Sequence, residues 1–218
     1  MITITEQKPL DEIMQCLGKC KRVYIIGCGT CATMLHTGGK SEVLEMKNKL
    51  EADGKKVTGW MMIPTACDKL TGDALKINAR KVKAANAILV MSCAFGVQTV
   101  SLYADKSIYP ALNTLCMAKE KTPGCLTEIC MQCGNCVLGQ TAGICPMTQC
   151  SKGLLNGPCG GTKEDKCEQE PEHDCAWILI YDRLKKLGEL DKLKEMAMSV
   201  DYAKMKRPRT FKVGEGLK

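Results

Sequence analysis

Sixteen cysteines in 218 residues limit this chain more than any other feature. Thiols at such density serve either a disulfide scaffold or metal sites. Disulfide scaffolds are typically small secreted chains that lack a core of their own. Here 45% hydrophobic residues supply one sizeable core, or a core plus a smaller module. Residues 1–10, MITITEQKPL, show no basic start followed by an apolar run, so they do not read as a signal peptide. Thiolate–metal bonds in a reducing cytoplasm are the expectation.

The cysteines fall on two different kinds of sequence. Residues 1–120 alternate between helical and strand patterns. Pro9 precedes an amphipathic helix through Leu10, Ile13, Met14 and Leu17, which Gly18 ends. Val23–Ile26, Val57–Ile63 and Ala87–Met91 read as strands, and Pro110–Met117 as a fourth. Glu42–Ala52, Asp73–Ala84 (with Leu75, Ile77 and Val82 facing inward) and Val97–Ala104 read as helices. The apolar run Ala87–Met91 suits a parallel strand covered on both faces. The alternation predicts an α/β fold with a doubly wound parallel sheet. The 21 uncharged residues between Lys83 and Asp105 resolve into a strand, a turn at Gly96 and a helix, so no membrane span is expected.

Residues 121–218 have a different character. Nine cysteines lie between Cys125 and Cys175, among many glycines and few apolar residues. Such a segment buries too little to order itself, so a Cys-rich, metal-organised module is expected. C-terminal helices follow at Ala176–Leu187, with Trp177, Ile180, Tyr181 and Leu184 on one stripe, and at Leu190–Met198. A basic tail, residues 204–218, ends the chain.

In the first region, Cys28 and Cys31 follow the first strand, Cys67 the second and Cys93 the third. The carboxyl ends of parallel strands gather at one sheet edge, where ligands bind. Four thiols from three such loops are therefore expected to form one metal site. A four-iron cluster is preferred to zinc, although the spacing admits either. The bland alternative makes Cys67 and Cys93 small buried hydrophobes. Gly27 and Gly29 would let backbone amides approach cluster sulfurs. Residues 27–32, GCGTCA, also match a dinucleotide fingerprint. However, no helix opens at once after it and no acid ends the second strand, so neither nucleotide nor flavin is expected on this chain.

In the second region, Cys130, Cys133 and Cys136 stand three residues apart, and Cys145 precedes Pro146. This is ferredoxin-like ligation, whereas structural zinc takes its thiols as separate pairs. Cys150, Cys159, Cys167 and Cys175 form a looser set whose spacing fits a further cluster or a structural zinc. The count is then two to three four-iron, four-sulfur (4Fe-4S) clusters, or zinc in place of one. Cys16, Cys20 and Cys116 suit packing roles; Cys125 could join a cluster, although Cys130, Cys133 and Cys136 make a better trio. His36 and His173 stand alone, and His173, between Cys167 and Cys175, suits a solvated loop position better than a ligand role.

The formal charge is +7, with 26 Lys and 5 Arg spread along the chain, and aromatic residues make up only 4%. Stacking platforms are scarce, which argues against nucleic acid. Each bound cluster would offset the excess by roughly −2. The lysines read as a solvated surface or a docking face for an acidic partner.

Several of these motifs resemble a known family. CMQCGNC at 130–136, TAGICP at 141–146, CSKGLLNGPCGGT at 150–162 and CAWILIYDRL at 175–184 resemble the C-terminal domain associated with methylenetetrahydrofolate reductase. Upstream, residues 27–50, PTACD at 64–68 and SCAFGVQTV at 92–100 resemble the MetV family, the small iron–sulfur subunits of acetogen-type reductases. Leu35 departs from that pattern, where many relatives are expected to carry a cysteine. Its identity favours the ligand set Cys28, Cys31, Cys67 and Cys93. The resemblance implies an iron–sulfur accessory subunit in the Wood–Ljungdahl pathway. It would supply electrons to, and activate, a flavin-containing methylenetetrahydrofolate reductase catalytic subunit (MetF-like), drawing on an unidentified electron-donor module. The alternative is a zinc-stabilised scaffold of the same reductase without a redox role. No nucleophile–base pair or carboxylate dyad stands out, so catalysis by this chain alone is not expected.

Overall fold

The computed structural model describes residues 1–205, 207 and 208; most of the basic tail lies outside them. The chain opens with a strand that the apolar pattern does not announce, β1 (Ile2–Gln7). Its buried positions are Thr3 and Thr5. The Thr5 hydroxyl lies 2.7 Å from that of Thr37, which satisfies a polar group the strand takes out of water. Helix α1 (Leu10–Leu17) follows Pro9 and buries Ile13 and Leu17.

Four strands then build a parallel sheet: β2 (Arg22–Cys28), β3 (Lys56–Ile63), β4 (Ala87–Met91) and β5 (Ser107–Pro110), in the order β3-β2-β4-β5. The connection from β2 to β3 runs through α2 (Cys31–Met34) and α3 (Lys40–Ala52). That from β3 to β4 runs through α4 (Thr71–Ile77) and α5 (Ala79–Ala84), and α6 (Ala94–Tyr103) returns the chain to β5. The chain steps from β2 to one neighbour and then back across to the other, so the strand order reverses beside β2.

Both faces of this sheet are covered, as a parallel sheet requires. Alternate strand residues divide between two apolar clusters. Val23, Ile25, Leu89 and Met91 pack with Ile13 and Leu17 of α1 and Val43, Met46 and Leu50 of α3. Tyr24, Ile26, Ile88 and Val90 pack with Leu75, Val82 and Val100 from α4, α5 and α6. Tyr24 is fully buried and its hydroxyl has no hydrogen-bond partner, and burial pushes its pKa up to about 12.

Three sequence expectations shift. The fourth parallel strand is β5, not 110–117; Leu112–Thr122 is instead β6 of a second sheet, ordered β1-β6-β7 with β7 (Cys125–Glu128). The helix expected over 73–84 breaks at Asn78, whose side chain donates to the Ala74 carbonyl. The break leaves Ile77 84% exposed, not facing inward. The apolar run after Lys83 is β4, a turn and α6, and among the described residues no helix is long and apolar enough to cross a membrane.

The chain divides between Met117 and Ala118 into two compact units. In the second, β6 and β7 form an antiparallel hairpin, followed by residues with little regular structure up to α7 (Pro146–Gln149) and again up to α8 (Ala176–Leu187). Helix α8 buries Trp177, Ile180 and Leu184 and ends on Gly188 in the left-handed region (φ +71°). Tyr181 turns outward instead, with the Lys185 ammonium 5.9 Å from its ring centre. Residues 190–198 hold a 3-10 turn at Leu190–Lys194 in place of the expected helix.

Candidate metal centres

The first group sits where the strand order reverses. Cys28 is the last residue of β2, Cys31 opens α2, Cys67 lies four residues past β3, and Cys93 caps α6 just after β4. Register pairs Cys28 with Ile63, and Gly27 with Met91, so the three carboxyl ends are level. The Cys67 thiol is raised by loss of solvent and then by the charges of Cys93, Cys28 and Cys31. The other three thiols therefore lie within electrostatic reach of Cys67. The four carry the donor chemistry that a thiolate-ligated metal or cluster takes.

The hydrogen bonds in this group are unequal. Burial alone would push the Cys28 thiol up. The Thr30 hydroxyl and the Ala66 and Thr30 backbones reverse this and hold it below its ordinary value. The Thr30 oxygen lies 3.3 Å from the Cys28 sulfur. Ser92 is buried and its hydroxyl has no hydrogen-bond partner. The loops are fixed from behind: Thr33 donates to the Cys28 carbonyl at 2.7 Å, and Thr71 to the Ala66 carbonyl at 2.9 Å.

The fingerprint glycine Gly27 has a packing reason. A Cβ there would stand 2.5 Å from Met62 Sδ and 2.6 Å from Val43 Cγ2, so only glycine admits α3 this close to the sheet. Gly29 is tight against Pro64 in the same way.

The second group surrounds a cavity. Cys130, Cys133, Cys136 and Cys145 all line one space of about 430 Å³ in the second unit. Its other walls include the apolar side chains of Ile129, Met131, Val137 and Ile144, of which Ile129 and Met131 are exposed to solvent. The loop bends through Gln132 (φ +59°) and Gly134 (φ +75°), which turns successive thiols toward one space. The Gln132 amide donates to the Cys130 sulfur at 3.3 Å, the contact that stabilises thiolate charge. Among the described residues, no three His, Cys, Asp or Glu side chains are already gathered at metal-holding geometry in either unit. The fit of both groups rests on the four-thiol donor sets and the amides and hydroxyls aimed at sulfur.

This second cavity lies within the stretch that a family model matches, residues 109–203, described as methylene-tetrahydrofolate reductase C terminal. Over that stretch the chain is similar to the methylene-tetrahydrofolate reductase C-terminal family. No curated protein and no solved structure matches the chain.

Within this stretch the looser set makes separate contacts. Cys150 packs against the cluster of Cys175, Trp177, Ile180 and Leu184, and the Thr162 hydroxyl donates to the Cys175 sulfur at 3.7 Å. The Cys167 thiol donates to Ser151 at 3.6 Å and is lowered by that bond and by the Gln169 and Glu170 backbones. Cys159 faces Glu168 at 3.9 Å, and Glu168 pairs with Lys152. Gly157 of the expected sulfur-facing turn packs against the Trp177 ring, whose indole N–H donates to the Leu154 carbonyl at 2.9 Å. His36 is exposed beside Glu42, and His173 offers its carbonyl, not its ring, to the Cys167 amide.

Thr30, Ala66 and Ser92 were not among the residues the sequence singles out. Their signal is position: each lies within two residues of a thiol, one in each strand-end loop.

Proposed function

We propose that this chain is an iron–sulfur electron-transfer and accessory subunit of a methylenetetrahydrofolate reductase. In this reading Cys28, Cys31, Cys67 and Cys93 hold one 4Fe-4S cluster and Cys130, Cys133, Cys136 and Cys145 another. Cys150, Cys159, Cys167 and Cys175 serve a third cluster or a structural zinc. The bound clusters supply one-electron chemistry. The chain's own residues orient the thiolates and donate hydrogen bonds to sulfur. The partner is a flavin-containing catalytic subunit (MetF-like), which this chain supplies with electrons and activates.

The observation that carries this reading is the single cavity lined by Cys130, Cys133, Cys136 and Cys145, within the stretch that resembles the methylene-tetrahydrofolate reductase C-terminal family. A four-thiol space with apolar walls suits a cluster. The test mixes the anaerobically reduced chain with an oxidised flavin-bearing reductase subunit and follows flavin absorbance. Bleaching by wild-type chain but not by Cys133→Ala supports the reading. Full reductase activation by Cys133→Ala would replace it with a scaffold role.

A further inference from the structure

Two of the loops that supply thiols to the first group also place a hydroxyl beside them: Thr30 stands between Cys28 and Cys31, and Ser92 directly precedes Cys93. The Thr30 hydroxyl is 3.3 Å from the Cys28 sulfur. Ser92 is buried and its hydroxyl has no hydrogen-bond partner, so it is free to donate to a group held by these thiols. Its place is made by Gly96, where any Cβ would collide with the Ser92 side chain and stand 3.0 Å from the Ala66 methyl. A buried hydroxyl left without a standard hydrogen bond is costly, so the fold retains one here against an energetic penalty.

Cys67 is the opposite case. Its thiol is exposed, whereas Cys28 is buried. The four thiols are thus in unequal surroundings.

We infer that Thr30 and Ser92 are positioning residues that set the reduction potential of the group held by Cys28, Cys31, Cys67 and Cys93. Reduction by one electron adds one negative charge, shared between metal and ligand sulfurs. Hydroxyls that donate to the ligand sulfurs stabilise that added charge and raise the potential. This inference rests on the proposed cluster.

The test uses the full chain, prepared anaerobically and reduced with dithionite, with EPR-monitored potential titration. The signal of the first site is the one lost in Cys28→Ala. Thr30→Val and Ser92→Ala should each retain this signal and shift its midpoint to lower potential, with a larger shift in the double variant. Thr30→Ser, which keeps the hydroxyl, should return it to the wild-type value. Loaded variants with unchanged midpoints would overturn the role of the hydroxyls and leave the cluster standing. If Cys28→Ala loses no signal and no iron, both the cluster and the hydroxyl role are overturned. If Thr30→Val fails to load, Ser92→Ala against wild type decides by the same criterion.

Discussion

The first unit places fourteen and eleven buried residues in two apolar clusters, one on each face of its sheet. Among the described residues the second unit gathers four, around Trp177. Both units carry cysteines in comparable number, seven in the first and nine in the second. In the first, strands and helices are held by burial, and the cysteines are added at the strand ends of a fold that already has its core. In the second, a hairpin, one short helix and α8 leave most of residues 129–175 without regular structure. A chain of this kind needs cross-links to offset its conformational entropy. Structural zinc in small domains contributes about 10–16 kcal/mol, the scale at which metal binding becomes folding energy.

The sharpest way to break this comparison is to remove a ligand from each unit. Cys133→Ala should abolish the protease resistance of the second unit and leave the first intact. Cys28→Ala should cost the first unit on the order of 1 kcal/mol, the price of one buried sulfur in a full core. The two tryptophans, Trp60 and Trp177, fall one in each unit, so their fluorescence reports the units separately when either is replaced by Phe. Equal resistance in both variants would mean that the units do not differ in what holds them.

Trp177→Ala sharpens the same contrast within the second unit. It removes the largest side chain of a four-residue cluster and the indole bond to Leu154. A loss of about 3–5 kcal/mol is expected, read by hydrogen exchange of α8. Gly27→Ala probes the first unit, where the added methyl meets Met62, Val43 and the Gly38 carbonyl. About 1–3 kcal/mol of destabilisation is expected by denaturant unfolding, with the second unit unchanged. Tyr24→Phe should have the smallest effect and the opposite sign. It deletes a buried hydroxyl without a partner, so stability should hold or rise by about 1 kcal/mol.

The parallel sheet was legible because its buried strands, above all Ala87–Met91, are continuous apolar runs. Strand β1 was not, because its inward side chains are Thr3 and Thr5, which are satisfied by contacts that local sequence does not reveal. The break at Asn78 was missed because helical periodicity continues through it, while the side chain ends the helix by bonding to Ala74. In the candidate sites, the placement of the first four cysteines at strand ends followed from topology. The Thr30 hydroxyl beside Cys28 did not, since its place at the sulfur depends on how the loop after β2 folds back. Residues 150–175 were the least legible. Wide cysteine spacing carries little geometry, and the pairing of Lys152 with Glu168 and of Cys167 with Ser151 arises only once the loops are folded.

The most direct test of the central claim, that these thiols hold electron-carrying clusters, is the metal content of the anaerobically purified full chain. Iron, acid-labile sulfide and zinc would be quantified alongside EPR of the dithionite-reduced protein. Iron with sulfide, and an EPR signal of which part disappears in Cys133→Ala, is the expected result. Zinc without iron or sulfide would contradict the account.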